Sequence, residues 1–282
     1  MARQSVANGG FVRNLVQIIC GCASAETIEE CARVPLMLGA TVIVVHGLWP
    51  KYDYPTSDPN FADMATLVSP TTQIDNVAQI AEVNGWHFLQ MQKFAYNGEQ
   101  YNAALSYIRN HGIPCEYIWF VDADNLIDPE HLPILLQDVE LLKQSGISSL
   151  RFQNLLEIVP GWRTFTYNVL AGNFGIVWGD ALGVEREEYF DGNFRFKTEV
   201  SFVATNVPLL HLHHFRKNAA DRIWDGCWHG GGMTVDLETA SPIYLSPYTQ
   251  ALREKYSQFH VERGGQDSYV GSSIFHEESG KS

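Results

Sequence analysis

The stretch Ile118-Trp119-Phe120-Val121-Asp122-Ala123-Asp124-Asn125 decides the fold. Four apolar residues, with Tyr117 before them, run directly into two aspartates spaced i and i+2. A continuous apolar run of this length, bounded by turn residues, reads as a buried strand of a parallel sheet covered on both faces. On a regular strand, residues i and i+2 share one face. Two carboxylates closing such a strand can therefore converge on one divalent cation, and carboxylate oxygens suit Mg²⁺ or Mn²⁺. An Asp-x-Asp alone is common and also reads as a turn with a capping residue. The apolar strand before it, and Asp128-Pro129-Glu130 opening a helix after it, sharpen the metal reading.

Working outward, Leu15–Cys22 and Thr41–Val45 read as further buried strands and His87–Gln92 as a short one. Helices are expected from Ser24, as N-cap, to about Leu38, with Pro35 inside and Gly39 at the C′ position. Others are expected over Gln73–Val83 and Asn97–Asn110, and from Pro129 to about Gln144. Such alternation predicts βαβ units, a mostly parallel sheet flanked by helices, and a ligand beyond the carboxyl ends of the strands. The segment Trp49–Thr72 carries four prolines and reads as a functional or unstructured loop. Further on, Ser148–Ile158 and Asn173–Trp178 read as strands, Glu185–Tyr189 as a helical turn, Thr198–Thr205 as helix or strand, and Leu209–His214 as a strand.

The 282 residues fit one large α/β domain, with or without a C-terminal appendage. Hydrophobic residues at 45% supply a core. A net charge of −13 disfavours nucleic-acid binding and requires a polyphosphate ligand to bring or find a local cation. The five cysteines form no CxxC pair, which argues against a zinc knuckle and a disulfide framework. No apolar run is long enough to span a membrane, and Met1–Gly10 lacks the apolar core of a signal peptide, so a cytoplasmic location is expected.

Leu210-His211-Leu212-His213-His214 alternates, so His211 and His213 face one way on a strand and the leucines the other. An imidazole joining two aspartates leaves coordination positions open for phosphate oxygens. His213 is the preferred ligand, then His211, then His214; ordinary half-exposed strand histidines are the competing reading. Glu199 and Asp191 are the candidate general bases, although each also reads as a solvated surface carboxylate. Arg186 either grips a phosphate or pairs with a nearby glutamate. Trp224–Gly232 combines glycines with indoles and reads as a lid or as an ordinary glycine-rich loop.

Asn97-Gly98-Glu99-Gln100-Tyr101-Asn102-Ala103-Ala104, a helix, the strand ending at Asp122-Ala123-Asp124, and Asp128-Pro129 resemble, in that order, glycosyltransferase family 2 and its GT-A relatives. The likeness continues in Gly183–Phe194, similar to the family's Arg-rich acceptor segment and Phe-Asp-x-x-Phe. Glu199 falls where the family places its acidic residue. His213-His214-Phe215-Arg216 resembles the His-x-Phe-Arg of polypeptide N-acetylgalactosaminyltransferases, whose histidine is the third metal ligand.

The resemblance implies a GT-A, Rossmann-like fold of the nucleotide-diphospho-sugar transferase type. It implies a UDP-, GDP- or dTDP-sugar as co-substrate, a glycan, protein or small-molecule acceptor, and general-base and metal-ligand roles as assigned above, with Asn102 and Arg186 beside the nucleotide. Inversion at the sugar is the favoured outcome. The implied organisation is an N-terminal arm (1–14), a transferase domain (15–240) and a C-terminal appendage with a polar tail (241–282). Within the domain, 15–127 forms the nucleotide-binding half, 128–216 the acceptor half and 217–240 the lid.

The chain departs from the family where its second strand ends. Val45-His46-Gly47-Leu48 stands in place of paired aspartates, with Asp53, Asp58 or Asp75 as substitutes. Competing functions are a haloacid-dehalogenase-like phosphatase, a nucleotidyltransferase and a non-catalytic carbohydrate-binding protein. The first wants its aspartates on strand one followed by Gly-Thr. The second wants a Gly- and Arg-rich loop that Gly21–Ser24 lacks.

Overall fold

The computed structural model describes residues 12–21, 25–48, 70–93, 97–147, 149–159, 162–168, 175–178, 201–212, 241–244 and 246–262. Its first half is a run of βα units: β1 (Leu15–Gly21), α1 (Ile28–Met37), β2 (Thr41–Leu48), α2 (Pro70–Asn84), β3 (His87–Lys93), α3 (Asn97–Asn110) and β4 (Tyr117–Asp122). After β4 come β5 (Asn125–Leu126), a 3₁₀ turn at Pro129–His131, α4 (Leu132–Ser145), β6 (Ser149–Phe152), β7 (Asn154–Val159) and β8 (Arg163–Asn168). The remainder is β9 (Gly175–Trp178), β10 (Phe202–Thr205), β11 (Leu209–His211), β12 (Ser241–Pro242) and a final helix, α5 (Pro247–Glu262).

Seven strands form the main sheet in the order β10-β6-β9-β4-β1-β2-β3. All its pairs are parallel except the two made by β9, which runs antiparallel to β4 and β6. The protein is thus α/β, with a mostly parallel sheet flanked by helices. The central strands are mostly apolar because both faces are covered. Leu15, Ile19, Val42, Val44, Trp119 and Val121 pack with α1, α2 and α4. The alternate residues Val16, Ile18, Ile43, Val45, Ile118 and Phe120 pack with Tyr101, Ala104, Leu105 and Ile108 of α3.

A second sheet has the order β12-β8-β7-β11-β5. The chain passes between the sheets twice within a few residues, from β4 to β5 through Ala123-Asp124 and from β6 to β7 through Gln153. The expected single strand Ser148–Ile158 is therefore two strands in different sheets. Leu126, Ile158, Trp162, Leu210 and Leu212 close this sheet's own core against Leu252 and Tyr256 of α5.

Local signals explain several element ends. Gly39 and Gly146 follow α1 and α4 with φ of 85° and 67°, a backbone that glycine adopts without strain. Asp128 caps the 3₁₀ turn, its carboxylate accepting from Glu130 N at 3.0 Å, with Pro129 next. Pro35 lies buried inside α1 without ending it. The expected cap Ser24 lies outside the described residues; Thr27 occupies the N-cap of α1 without a side-chain cap bond.

Candidate functional site

The parallel strands β1, β2 and β4 end together at Gly21, His46–Leu48 and Asp122, which defines the carboxyl edge where ligands of such sheets bind. Gln100 of α3 stitches this edge, its Nε2 donating to Gly21 O and Val45 O, each at 3.3 Å. Ala123 N donates to Cys20 O at 3.0 Å, which continues β4 against β1 up to the Asp-x-Asp motif.

The motif then turns. Asp122 keeps the parity of Ile118 and Phe120 and points toward α3, where Tyr101 Oη donates to its Oδ1 at 3.3 Å. Burial, and then the Asp122 charge, push the Tyr101 phenol well above its ordinary value, so it stays a donor. Ala123-Asp124 is a turn rather than a strand, and it sends Asp124 toward the second sheet. There the Asp124 carbonyl accepts from Leu212 N at 3.0 Å, pinning the motif to the end of β11. The simple expectation that i and i+2 share a face therefore holds only as far as Asp122. Both carboxylates still act on the buried Cys31 thiol, which burial first and their charges next hold protonated. Cys31 Sγ donates to Asp122 O at 3.4 Å.

His211 is brought to this place by register. It lies opposite Asn125 on β5 and opposite Glu157 on β7. Its Nε2 stands 3.4 Å from Asp124 Oδ1, and its Nδ1 is hydrogen-bonded to Glu157 Oε2. Leu210 and Leu212 turn the other way into the core, as the alternation predicts. Burial pulls the His211 pKa down, but the Glu157 and Asp124 carboxylates outweigh it and hold the ring well above its ordinary value. Asp124 and Glu157 are themselves buried.

Two donors of the expected set, Asp124 and His211, thus meet. Their 3.4 Å separation is about that of two adjacent ligands on one ion at bond lengths of about 2.1 Å. Among the described residues, no group of three or more His, Cys, Asp or Glu is arranged to hold a metal ion. Asn102 lies half-buried on α3, one residue past Tyr101. Arg186, Asp191, Glu199, His213, His214 and the Trp224–Gly232 segment lie outside the described residues.

Glu157 and Tyr101 are the site residues that sequence reasoning missed. Tyr101 sat inside the Asn97–Ala104 segment without a role of its own. Glu157 carries no motif, and its only signal is a carboxylate in the otherwise apolar Leu155–Val159 run.

At the end of β2, His46 is buried, and burial lowers its pKa to about 4, so it is neutral at pH 7. Of the substitutes for the missing aspartates, Asp53 and Asp58 lie outside the described residues, and Asp75 falls on α2.

No family profile and no curated protein matches the chain. Several solved structures resemble it distantly. Staphylococcus aureus TarS (residues 1–349) is 12% identical with a TM-score of 0.40, covering 90% of this chain and 74% of that one. A197 from STIV is 9% identical at 0.37, covering 70% and 85%. An apo UDP-glucose pyrophosphorylase is 12% identical at 0.35, covering 69% and 91%. Among the described residues, no helix is long and apolar enough to cross a membrane.

Proposed function

We propose that the chain is a metal-dependent glycosyltransferase of the GT-A type, moving a sugar from a nucleoside-diphosphate donor to an acceptor hydroxyl. The observation that carries this reading is the meeting of Asp124 and His211 beside the carboxyl end of β4, at a spacing that suits one divalent cation. The ordered segments of the sequence resemblance support it: α3 with Asn102, the strand ending at Asp122-Ala123-Asp124, then Asp128-Pro129.

In this reading Asp124 and a histidine, His211 or His213, would hold Mn²⁺ or Mg²⁺, while Asp122 turns toward α3. When bound, the ion supplies the positive charge that a diphosphate needs beside a chain of net charge −13. Tyr101 steadies the Asp122 carboxylate by donating to it. Asn102 and Arg186 bind the donor. Glu199, or else Asp191, takes the proton of the acceptor hydroxyl as its oxygen bonds to the anomeric carbon. The bond from that carbon to the phosphate oxygen breaks, its electron pair leaves with the nucleoside diphosphate, and the configuration inverts.

The test is a thermal-shift screen of UDP-, GDP- and dTDP-sugars with and without Mn²⁺, followed by transfer assays. A ligand present at about 100 times its Kd stabilises the native state by about 2.7 kcal/mol. The expected result is a raised melting temperature that needs both sugar nucleotide and Mn²⁺, lost in Asp124→Asn. Glu199→Gln keeps donor binding and loses transfer. Turnover of a simple phosphate monoester without any sugar nucleotide would instead make the protein a phosphatase. Tight donor binding with no transfer to any acceptor class would make it a binding protein.

A further inference from the structure

We propose that Glu157 is a positioning residue, holding the His211 ring through Nδ1 so that Nε2 is presented to the cation site beside Asp124. The inference rests on the reading of Asp124 and His211 as cation ligands. It adds a residue to which no motif assigns a role.

Backbone register comes first. β7 and β11 are parallel neighbours, with Leu209, Leu210 and His211 opposite Leu155, Leu156 and Glu157. Residues paired across a ladder project from the same face, so the histidine and the glutamate are side by side by construction. Glu157 is 4% exposed. A carboxylate that deep is costly unless it is paired and hydrogen-bonded. The His211 Nδ1–H meets that need at Oε2.

Ring geometry comes next. An imidazole is rigid, and its two nitrogens point to opposite sides. Fixing Nδ1 on Glu157 therefore fixes the direction of Nε2, which faces Asp124 Oδ1 at 3.4 Å. A ligating histidine whose second nitrogen donates to a carboxylate is held in one tautomer and one orientation, and such outer partners are worth about 10–100-fold in metal affinity. The Leu212 N to Asp124 O bond holds the facing side of the pair in place.

A purely structural ion pair makes a different prediction: loss of Glu157 lowers stability and leaves cation binding unchanged. Mn²⁺ alone is the probe, followed by electron paramagnetic resonance on the full chain. The variants are E157A, E157Q, H211Q and E157A/H211Q, with folding checked by circular dichroism. The expected result is Mn²⁺ binding weakened roughly 10–100-fold in E157A. E157Q is weakened less, because its amide oxygen still accepts from Nδ1–H. The double variant binds no more weakly than H211Q, since Glu157 acts through that ring.

A second readout needs no metal. The metal-free wild-type chain should show a slowly exchanging, low-field Nδ1–H proton in nuclear magnetic resonance, shifted in E157Q and missing in H211Q. Mn²⁺ affinity unchanged in E157A and E157Q, or an E157A effect that persists in full in the H211Q background, overturns the proposal. So does a low-field proton that E157Q leaves unmoved, which also decides the matter if E157A does not fold. A wild-type chain that binds no Mn²⁺ sinks the cation reading itself; the proton resonance still reports separately whether Glu157 orients the ring.

Discussion

The chemistry of His46 departs from what its position in the βα pattern leads one to expect. It ends a buried strand at the carboxyl edge of the sheet, and burial holds its pKa near 4. An unfolded histidine titrates near 6.5, so between these values the unfolded chain binds a proton that the folded chain refuses. A depressed folded pKa means that the stability contribution is complete above about pH 6.5 and is lost as pH falls toward 4. The gap is worth about 3 kcal/mol at 1.36 kcal/mol per unit. Urea unfolding followed from pH 7.5 to 4.5 should therefore show a steeper loss in the wild-type chain than in His46→Gln. Parallel curves for the two chains would mean that this ring is hydrated in the folded state. Glu30 has the same sense of shift: burial raises its pKa, but Arg33 and Lys255 together bring it below its ordinary value. Its contribution is likewise present above the ordinary glutamate range and lost on acidification.

At the scale of elements, the first half of the chain was legible nearly whole and the second only in part: β9 and β11 fall inside their expected strands, whereas the split of Ser148–Ile158 into two strands of different sheets could not be read. β1, β2 and β4 are mostly apolar, with Gln17 and His46 as buried exceptions, because helices cover both faces, and apolar runs, a glycine stop and an Asp-Pro start mark several boundaries. α3 matches its expected span of Asn97–Asn110. In the second half the strands are short and change sheet without a turn signal. Phe152-Gln153-Asn154 carries no glycine or proline, so nothing local separates β6 from β7. The site follows the same division. Asp122 at the end of β4 and the His211/Leu210 alternation could be read from spacing, whereas the turn that carries Asp124 to the second sheet could not. The pairing of His211 with Glu157 depends on a parallel register between segments 54 residues apart, which no local pattern encodes. The stop signals can be tested directly. Gly146 ends α4 at a φ of 67°, and a Cβ built there meets nothing within 4 Å. Gly146→Ala should thus cost about 1 kcal/mol from backbone strain alone, and Gly146→Asn less, since asparagine tolerates that conformation. A chemical-denaturation midpoint unchanged in Gly146→Ala would mean that the α4 end relaxes out of the left-handed form.

At the scale of the whole molecule, the question is what joins the two sheets into one body around the site. Residues 247–262, which the sequence reading places in the C-terminal appendage, form α5, and this helix reaches back to the start of the chain. Tyr256 is fully buried, packs with Leu126, Leu210 and Leu252, and donates to Glu26 O at 2.7 Å. Lys255 and Tyr248 meet Glu30 of α1 at 3.0 and 3.3 Å. Just before the helix, Ser246 Oγ donates to Asp128, a few residues beyond Asp122-Ala123-Asp124. α5 thus closes the core beneath β11 and β5, the strands that carry His211 and follow Asp124. Burial and charge contribute very unequally to this closure. Lys255 is 40% exposed, so solvent screens its pairing with Glu30, and Lys255→Ala should cost less than about 1 kcal/mol. Tyr256→Phe removes one hydrogen bond, worth about 1 kcal/mol. Leu252→Ala and Tyr256→Ala empty core volume and should cost about 2–5 kcal/mol, with Tyr256→Ala at the upper end. Denaturation of the four variants should follow that order. The two core variants should also weaken Mn²⁺ binding, because β11 loses the support that holds His211 against Asp124. If Lys255→Ala proved as costly as Tyr256→Ala, α5 would be held by its charges. If the core variants unfolded early yet bound Mn²⁺ with wild-type affinity, the site would be independent of the second core.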